Sequence, residues 1–241
     1  MTRDERALSA VPGALWLLLA ATLCIQIAWQ AARPVKASAA ADLPPAPSAA
    51  ALRLASFGEP EAAARIAMLY LQSYDLGGGT SLRFRQLDYG RLEQWLGAIL
   101  ELDPRSAYPL FSAARLYAEV DDAQRSRSML EFIYREYLKD PNRRWQWLAH
   151  AALLAKHRLH DLPRARRYAH AIDQYTTDPR VPLWAKQMEI FILEDMNELQ
   201  AAEVMLGGLL ESGAVKDPGE ARFLAERLAE LRARIASSKV K

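Results

Sequence analysis

The longest unbroken apolar stretch lies near the start of the chain, where no charged residue occurs between Val11 and Ala32. As a helix rising about 1.5 Å per residue, this run would extend about 33 Å, against a hydrocarbon core of about 30 Å. Leu15, Leu17, Leu18, Leu19, Leu23, Ile25 and Ile27 favour insertion, Trp16 and Trp29 sit near the two ends where indoles prefer the interface, and Gln26 is the one costly member. The pattern predicts a transmembrane helix over residues 11–32 behind a short tail, residues 1–10. A cleaved signal peptide is the rival reading, because Ala37-Ser38-Ala39 resembles a small-residue cleavage site. The run exceeds the about 7 to 15 residues of a signal core, and Arg33, Pro34 and Lys36 intervene, so the anchor is preferred.

Residues 33–48 read as a linker. From Ala37 to Ser48 the chain is rich in Ala, Pro and Ser, and Pro44, Pro45 and Pro47 favour an extended conformation with no apolar periodicity to bury. Beyond it the period changes to that of a helix. Leu92, Trp95, Leu96, Ile99 and Leu100 fall on one stripe, as do Leu199, Ala202, Met205, Leu206, Leu209 and Leu210. Strand alternation has no comparable support. Four Asp-Pro pairs punctuate these stripes, at Asp103-Pro104, Asp140-Pro141, Asp178-Pro179 and Asp217-Pro218, with the prolines 37, 38 and 39 residues apart. Asp at an N-cap accepts from exposed NH groups of the next turn, and Pro at the first helical position surrenders an NH that had no partner. Each pair also ends the helix before it. The expectation is an all-α domain over residues 49–236, followed by a tail, residues 237–241.

The residues around this punctuation resemble the tetratricopeptide repeat family, which pairs two antiparallel helices in about 34 residues. Tyr108, Trp145 and Trp184 stand at the early aromatic position of the first helix, Ser112 and Ala149 at its small crossing position, and Ala165 and Ala202 at that of the second. Gly58-Glu59-Pro60-Glu61-Ala62-Ala63 resembles the turn of a first, shorter unit, and Leu87 to Pro104 a second helix with its flanking turns. The match is degenerate: units are several residues too long, Met188 replaces a small residue, and Gly77-Gly78-Gly79-Thr80 interrupts the second unit. Pro218 to Ala236, with Leu224, Leu228, Leu231 and Ile235 on one face and charges elsewhere, reads as a capping helix. The resemblance implies a right-handed superhelical stack of antiparallel helix pairs, a TPR-like α-solenoid. It also implies a concave groove lined by the first helices, whose positions match Leu110, Ala113 and Tyr117, then Gln146, Trp147 and His150, then Lys186 and Glu189. Trp147, a large amphipathic ring, is the expected anchor for a protein or peptide partner.

Charge changes the picture through its distribution, not its sum of +2. Residues 135–170 carry nine Lys and Arg against Glu136, Asp140 and Asp161, whereas residues 189–220 carry eight acids against Lys216 alone. A dipolar surface follows, with the basic segment expected to meet an anionic partner or acidic lipid. Nucleic acid is not expected, because the aromatics of that segment fall at packing positions and an acidic unit follows at once. The single cysteine, Cys24, allows no intramolecular disulfide, and Leu23 before it with apolar residues after it is unlike a lipobox. His150, His157 and His160 lack carboxylate or thiolate company at ligand spacing, the adjacent Glu194 and Asp195 point in different directions on a helix, and Gly77-Gly78-Gly79 lacks the Lys-Ser/Thr of a phosphate loop.

No reaction is therefore expected, nor any cofactor or metal. The reading is a membrane-anchored scaffold or adaptor that assembles a bacterial cell-envelope complex. The alternative is a constitutive subunit of a secretion, pilus or polysaccharide-export machine. Arg3 and Arg6 are balanced by Arg33 and Lys36 across the apolar run, so charge sets no orientation. A short tail before a large C-terminal domain resembles a single-pass bacterial inner-membrane anchor with the domain in the periplasm.

Overall fold

The computed structural model describes residues 12–32, 43–74 and 87–238. All secondary structure among them is helical, and the chain divides into two compact units, one up to Ala41 and one from Asp42 onward. The tails, the Gly77–Thr80 insertion, the cleavage-like site and the charges flanking the apolar run lie outside the described residues.

The first unit holds α1 (Gly13–Ala32). This helix corrects the anchor. From Leu15 to Ile25, before Gln26, the helix reaches only about 17 Å, and Thr22 within it donates its hydroxyl back to the Leu18 and Leu19 carbonyls at 3.0 and 2.9 Å. Among the described residues no helix is long and apolar enough to cross a membrane. The transmembrane span over residues 11–32 and the inner-membrane, periplasmic placement built on it are overturned.

The second unit consists of α2 (Ala49–Ala55), α3 (Pro60–Ser73), α4 (Tyr89–Leu102), α5 (Tyr108–Ser112), α6 (Ala123–Lys139), α7 (Pro141–His157), α8 (Leu162–Tyr175), α9 (Leu183–Asp195), α10 (Leu199–Glu211) and α11 (Pro218–Ser238). Several helix starts carry the side-chain acceptor that their exposed NH groups need. Asp88 accepts from Gly90 and Arg91 at 2.8 and 3.2 Å, Asp122 from Gln124 and Arg125 at 3.0 Å each, and Asp161 from Arg164 at 3.1 Å. α5 runs directly into a π turn, Ala113–Tyr117, closed by the Ala118 NH on the Ala113 carbonyl at 2.9 Å.

The four Asp-Pro pairs divide into two kinds. Asp217 caps α11 as expected, accepting from the Glu220 NH at 2.7 Å with Pro218 in the first turn. Asp140 ends α6 and starts α7 with Pro141 in place, but its carboxylate lies toward Arg143 at 3.6 Å instead of capping. The other two are both Asp-Pro-Arg, and neither starts a helix. In each, the Asp Oδ1 accepts from the Arg NH and the Asp carbonyl from the residue after it, giving a closed turn; α5 and α9 begin only at Tyr108 and Leu183. The carboxylate satisfies the turn, leaving nothing to cap a helix.

Most helices pack mainly on the helix before or after them in sequence, whereas α2 packs more on α4 than on α3. Weaker contacts join α5 to α7 and α7 to α9 on one side and α4 to α6 on the other, so alternate helices form two layers. Small residues let the helices approach: Ser112, Ala149, Ala165 and Ala202 are all fully or almost fully buried. The predicted stripe Leu92, Trp95, Leu96, Ile99 and Leu100 is buried throughout. One core runs from Leu43 to α9; a second joins Ile190 and Leu193 of α9 to α10 and α11, where Leu224, Leu228, Leu231 and Ile235 face inward as a capping helix requires. This arrangement is consistent with an α-solenoid.

The end of the expected linker is not free. Leu43 is buried in the core, Arg91 donates to its carbonyl at 2.7 Å, and the Trp95 indole donates to the Pro44 carbonyl at 2.8 Å. Proline has no NH to satisfy, so two donors from α4 suffice to hold this extended strand.

Most polar links between helices join residues roughly one repeat apart. The Tyr137 hydroxyl reaches the Ala171 carbonyl and Thr176 Oγ1, both at 2.9 Å. Asn142 Oδ1 accepts from the NH groups of Thr177 and Asp178 at 2.8 and 2.9 Å. Glu131 of α6 accepts from Arg164, Arg167 and Tyr168 of α8. The most enclosed link is Arg144 of α7, which donates to the Glu136 carbonyl (2.7 Å), the Glu136 carboxylate (2.9 Å) and the Pro104 carbonyl (3.2 Å). Arg144 and Glu136 are both buried, so removing the cation leaves three acceptors short of a donor.

Two outcomes follow. Arg144→Ala is expected to destabilise the second unit by about 3 to 5 kcal/mol in urea unfolding; a change below about 1 kcal/mol would show the pair to be solvent-screened. Hydrogen bonds from the Arg180 side chain and backbone hold the Asp178 carboxyl at about 2, below its ordinary 3.8. A depressed carboxylate contributes stability above the unfolded value that is lost as pH falls toward the folded one, here between about 4 and 2. Carboxyl NMR should give Asp178 a midpoint near 2 that rises toward, without fully reaching, its ordinary value in Arg180→Ala, which keeps the backbone NH.

Candidate functional site

The groove positions implied by the repeat separate into buried and accessible sets. Leu110, Ala113 and Tyr117 are fully or almost fully buried, and so is Glu189. None of them faces a groove. Leu110, Ala113 and Tyr117 follow one another at three- and four-residue spacing, so they share one helix face, and that face packs inward. The Tyr117 carbonyl accepts from the Tyr89 hydroxyl at 3.0 Å, fixing that end against α4. Glu189 is covered by α8, where Arg166 and His170 meet its two carboxylate oxygens at 3.1 and 2.8 Å. A buried carboxylate persists only when paired in this way.

Gln146 is exposed, while Trp147, His150 and Lys186 are half-buried. The structure brings Trp147 and His150 of α7 against the preceding unit. The Trp147 ring meets Phe111 edge-on at 5.9 Å between centroids, Phe111 stacks on Tyr108 at 6.2 Å, and the Tyr108 hydroxyl accepts from the Gln72 side chain of α3. His150 Nε2 lies 3.3 Å from Glu119, which Arg115 approaches to 3.9 Å. A row of rings thus crosses from α5 to α7, with Tyr108 43% and Phe111 40% exposed. Lys186 on α9 belongs to a different neighbourhood, close enough to Asp173 for its charge to oppose the rise that burial imposes on that carboxyl.

Phe111, Arg115 and Glu119 were missed from the sequence. The signal for Phe111 was present, since it lies three residues after Tyr108 and side chains at that spacing share a helix face.

The predicted basic patch is already neutralised. Each of its nine cations has a carboxylate within 4 Å: Arg135 meets Glu93 at 2.5 Å, Lys139 and Arg144 meet Glu136 at 2.6 and 2.9 Å, Arg143 meets Asp140, and Lys156 meets Asp195. Arg158 meets Asp121 at 2.9 Å, Arg164 meets Asp161 and Glu131, Arg166 meets Glu189, and Arg167 meets Glu131. The acidic segment is consumed likewise, with Glu194 held by Arg227 at 2.5 Å and Arg234 at 3.7 Å, and Glu203 by Arg232 at 2.9 Å. Burial alone would raise the Asp161 carboxyl, but hydrogen bonds from Arg164 and the charges of Arg164 and Arg127 hold it below its ordinary value. Burial pushes the Tyr168 hydroxyl up. Charges separated along the chain meet across helix interfaces, so the dipolar surface expected from the sequence is largely internal pairing.

Glu194 and Asp195 diverge, one toward α11 and one toward α7. Among the described residues, no group of three or more His, Cys, Asp and Glu side chains is placed to hold a metal ion. The described residues form an all-helical array consistent with an α-solenoid, with an aromatic row on one layer. No protein-family model, no characterised protein and no solved structure matches the chain.

Edge-to-face rings on adjacent units should couple. A double-mutant cycle of Phe111→Ala and Trp147→Ala, read by urea unfolding, is expected to give about 0.5 to 1.5 kcal/mol of interaction. Strict additivity would mean that the two rings do not pack in solution.

Proposed function

We propose that the chain is a TPR-like scaffold that binds a protein or peptide partner along the layer formed by α5, α7 and α9. The observation that carries this reading is the ring row Tyr108, Phe111 and Trp147, which leaves aromatic surface accessible on helices one repeat apart. Half-exposed aromatic rings on a rigid helical surface are common anchors of partner recognition. Gln146 and the His150–Glu119 pair border the rings with hydrogen-bonding groups. The small residues at the crossings and the capping role of α11 support the repeat reading, and a right-handed superhelix is its geometric consequence.

The scaffold reading needs no chemistry at the site, and the paired cations leave the rings as the principal feature of that layer. Gln146 remains as a candidate contact beside Trp147 and Lys186 as one on the neighbouring α9, and the partner belongs to an assembly that the scaffold holds together, with a permanent place in a larger machine as the other form of the same idea.

The test is site-specific photo-cross-linking in cells with a benzophenone residue at position 147 or, as a control, at position 226 on the outer face of α11. Discrete protein adducts at 147 that vanish with Phe111→Ala, and are absent at 226, are the expected result. Indistinguishable adducts at the two positions would remove the aromatic layer as the binding surface.

A further inference from the structure

The two ends of the second unit are finished differently. At the C-terminal end α11 turns Leu224, Leu228, Leu231 and Ile235 inward and carries Arg222, Glu226, Glu230 and Arg234 outside, as the closing helix of a stack must. At the N-terminal end α2 and α3 carry large aliphatic side chains on the outside: Leu54 is 82% exposed, Ile66 67% and Leu69 66%. α2 is only seven residues long and buries none of its own side chains, so it does not close the stack.

Two features stand side by side on that surface. Phe57, in the turn between α2 and α3, is 95% exposed and has a backbone φ of 50°, with Gly58 following at 92°. Glycine or asparagine is the ordinary occupant of a left-handed position after a helix, and a bulky aromatic there is an outlier. Beside it lies an open apolar pocket of about 560 Å³, whose walls include Ala55, Ala63, Ile66, Tyr70 and Trp95. Its volume falls within the range of pockets that take an aromatic group. Ala55 precedes Phe57 by two residues, so the ring's Cα lies within about 7 Å of the pocket wall along the chain.

We infer that this end is a two-fold interface between copies of the chain, in which Phe57 of each copy enters the Ala63–Tyr70 pocket of the other. A projecting ring and a receiving pocket on one patch are what a self-complementary two-fold contact requires, because the same pair is then made twice. A second copy fits better than a partner of one charge, since the exposed charges of α2, α3 and their turn, Arg53, Glu59, Glu61 and Arg65, are balanced in sign. Each copy's ring and pocket are both taken up by the other copy, so the two-fold contact closes at two copies. The contact lies apart from the aromatic layer of α5 and α7 and stands or falls independently of it.

The test uses the full chain. Equal amounts of ¹⁴N- and ¹⁵N-labelled protein with a benzophenone residue at position 57 are mixed, irradiated and digested. Mixed-isotope cross-links from position 57 to the α3 segment 63–70 are expected. Ala63→Trp, which fills the pocket, should reduce their yield by about tenfold or more with helix content unchanged. Phe57 is exposed, so Phe57→Asp leaves the fold intact and provides a second reading: sedimentation velocity should show a dimer becoming a monomer. Cross-links confined to single-isotope pairs, or association that survives Phe57→Asp, would overturn the inference.

Discussion

Side chains in the second unit find their partners about one helical hairpin away. Tyr137 reaches Ala171 and Thr176, Asn142 reaches Thr177 and Asp178, Glu131 reaches Arg164 and Arg167, and Glu194 reaches Arg227. The rings obey the same interval, with Phe111 on Trp147, Trp145 on Trp184 and Tyr134 on Tyr168. A recurring offset of this kind forces helices into neighbouring positions and gives each of them little to touch beyond the next unit. Packing, charge pairing and the accessible aromatic row are all consequences of it. Stability in such a chain is a sum over neighbouring interfaces, with no single centre that every element shares.

Charge illustrates how the offset acts. Read along the chain, a basic block precedes an acidic one, and a polarised surface is the natural expectation. In space the basic helices α7 and α8 lie between acids of α6 on one side and of α9 on the other, while Arg135 of α6 meets Glu93 of α4, so the cations are spent on interfaces. Glu189 and Glu136 are deep enough that they require these partners, whereas Arg180, on an exposed turn, merely closes a local ring with Asp178. What is left accessible is chiefly aromatic and aliphatic, which is why the binding proposal rests on rings.

Much of the fold was legible because it depends on periodicity. The stripes on α4 and α10, the small residues at 112, 149, 165 and 202 and the inward face of α11 follow from a helix repeating every 3.6 residues. The groove register was not legible, because the spacing that places Leu110, Ala113 and Tyr117 on one helix face does not tell whether that face is the packed one. Asp-Pro looked like one device and is two, separated by whether arginine follows. The docking of Leu43 and Pro44 on α4 also escaped, since an extended proline strand has no periodicity and its binding depends on Arg91 and Trp95 far along the chain. The apolar run near the start misled in another way: composition without charge looked sufficient to span a bilayer, but Gln26 limits the length of unbroken apolar helix.

Native-state hydrogen exchange in a locally weakened variant tests the neighbour-only coupling most directly. Leu206 is fully buried in the core shared by α9, α10 and α11, so Leu206→Ala removes packing from one end of the stack. Amides of α10 and α11 should exchange faster while those of α4 to α7 keep their protection. Equal acceleration throughout the second unit would show a single cooperative core and contradict the account.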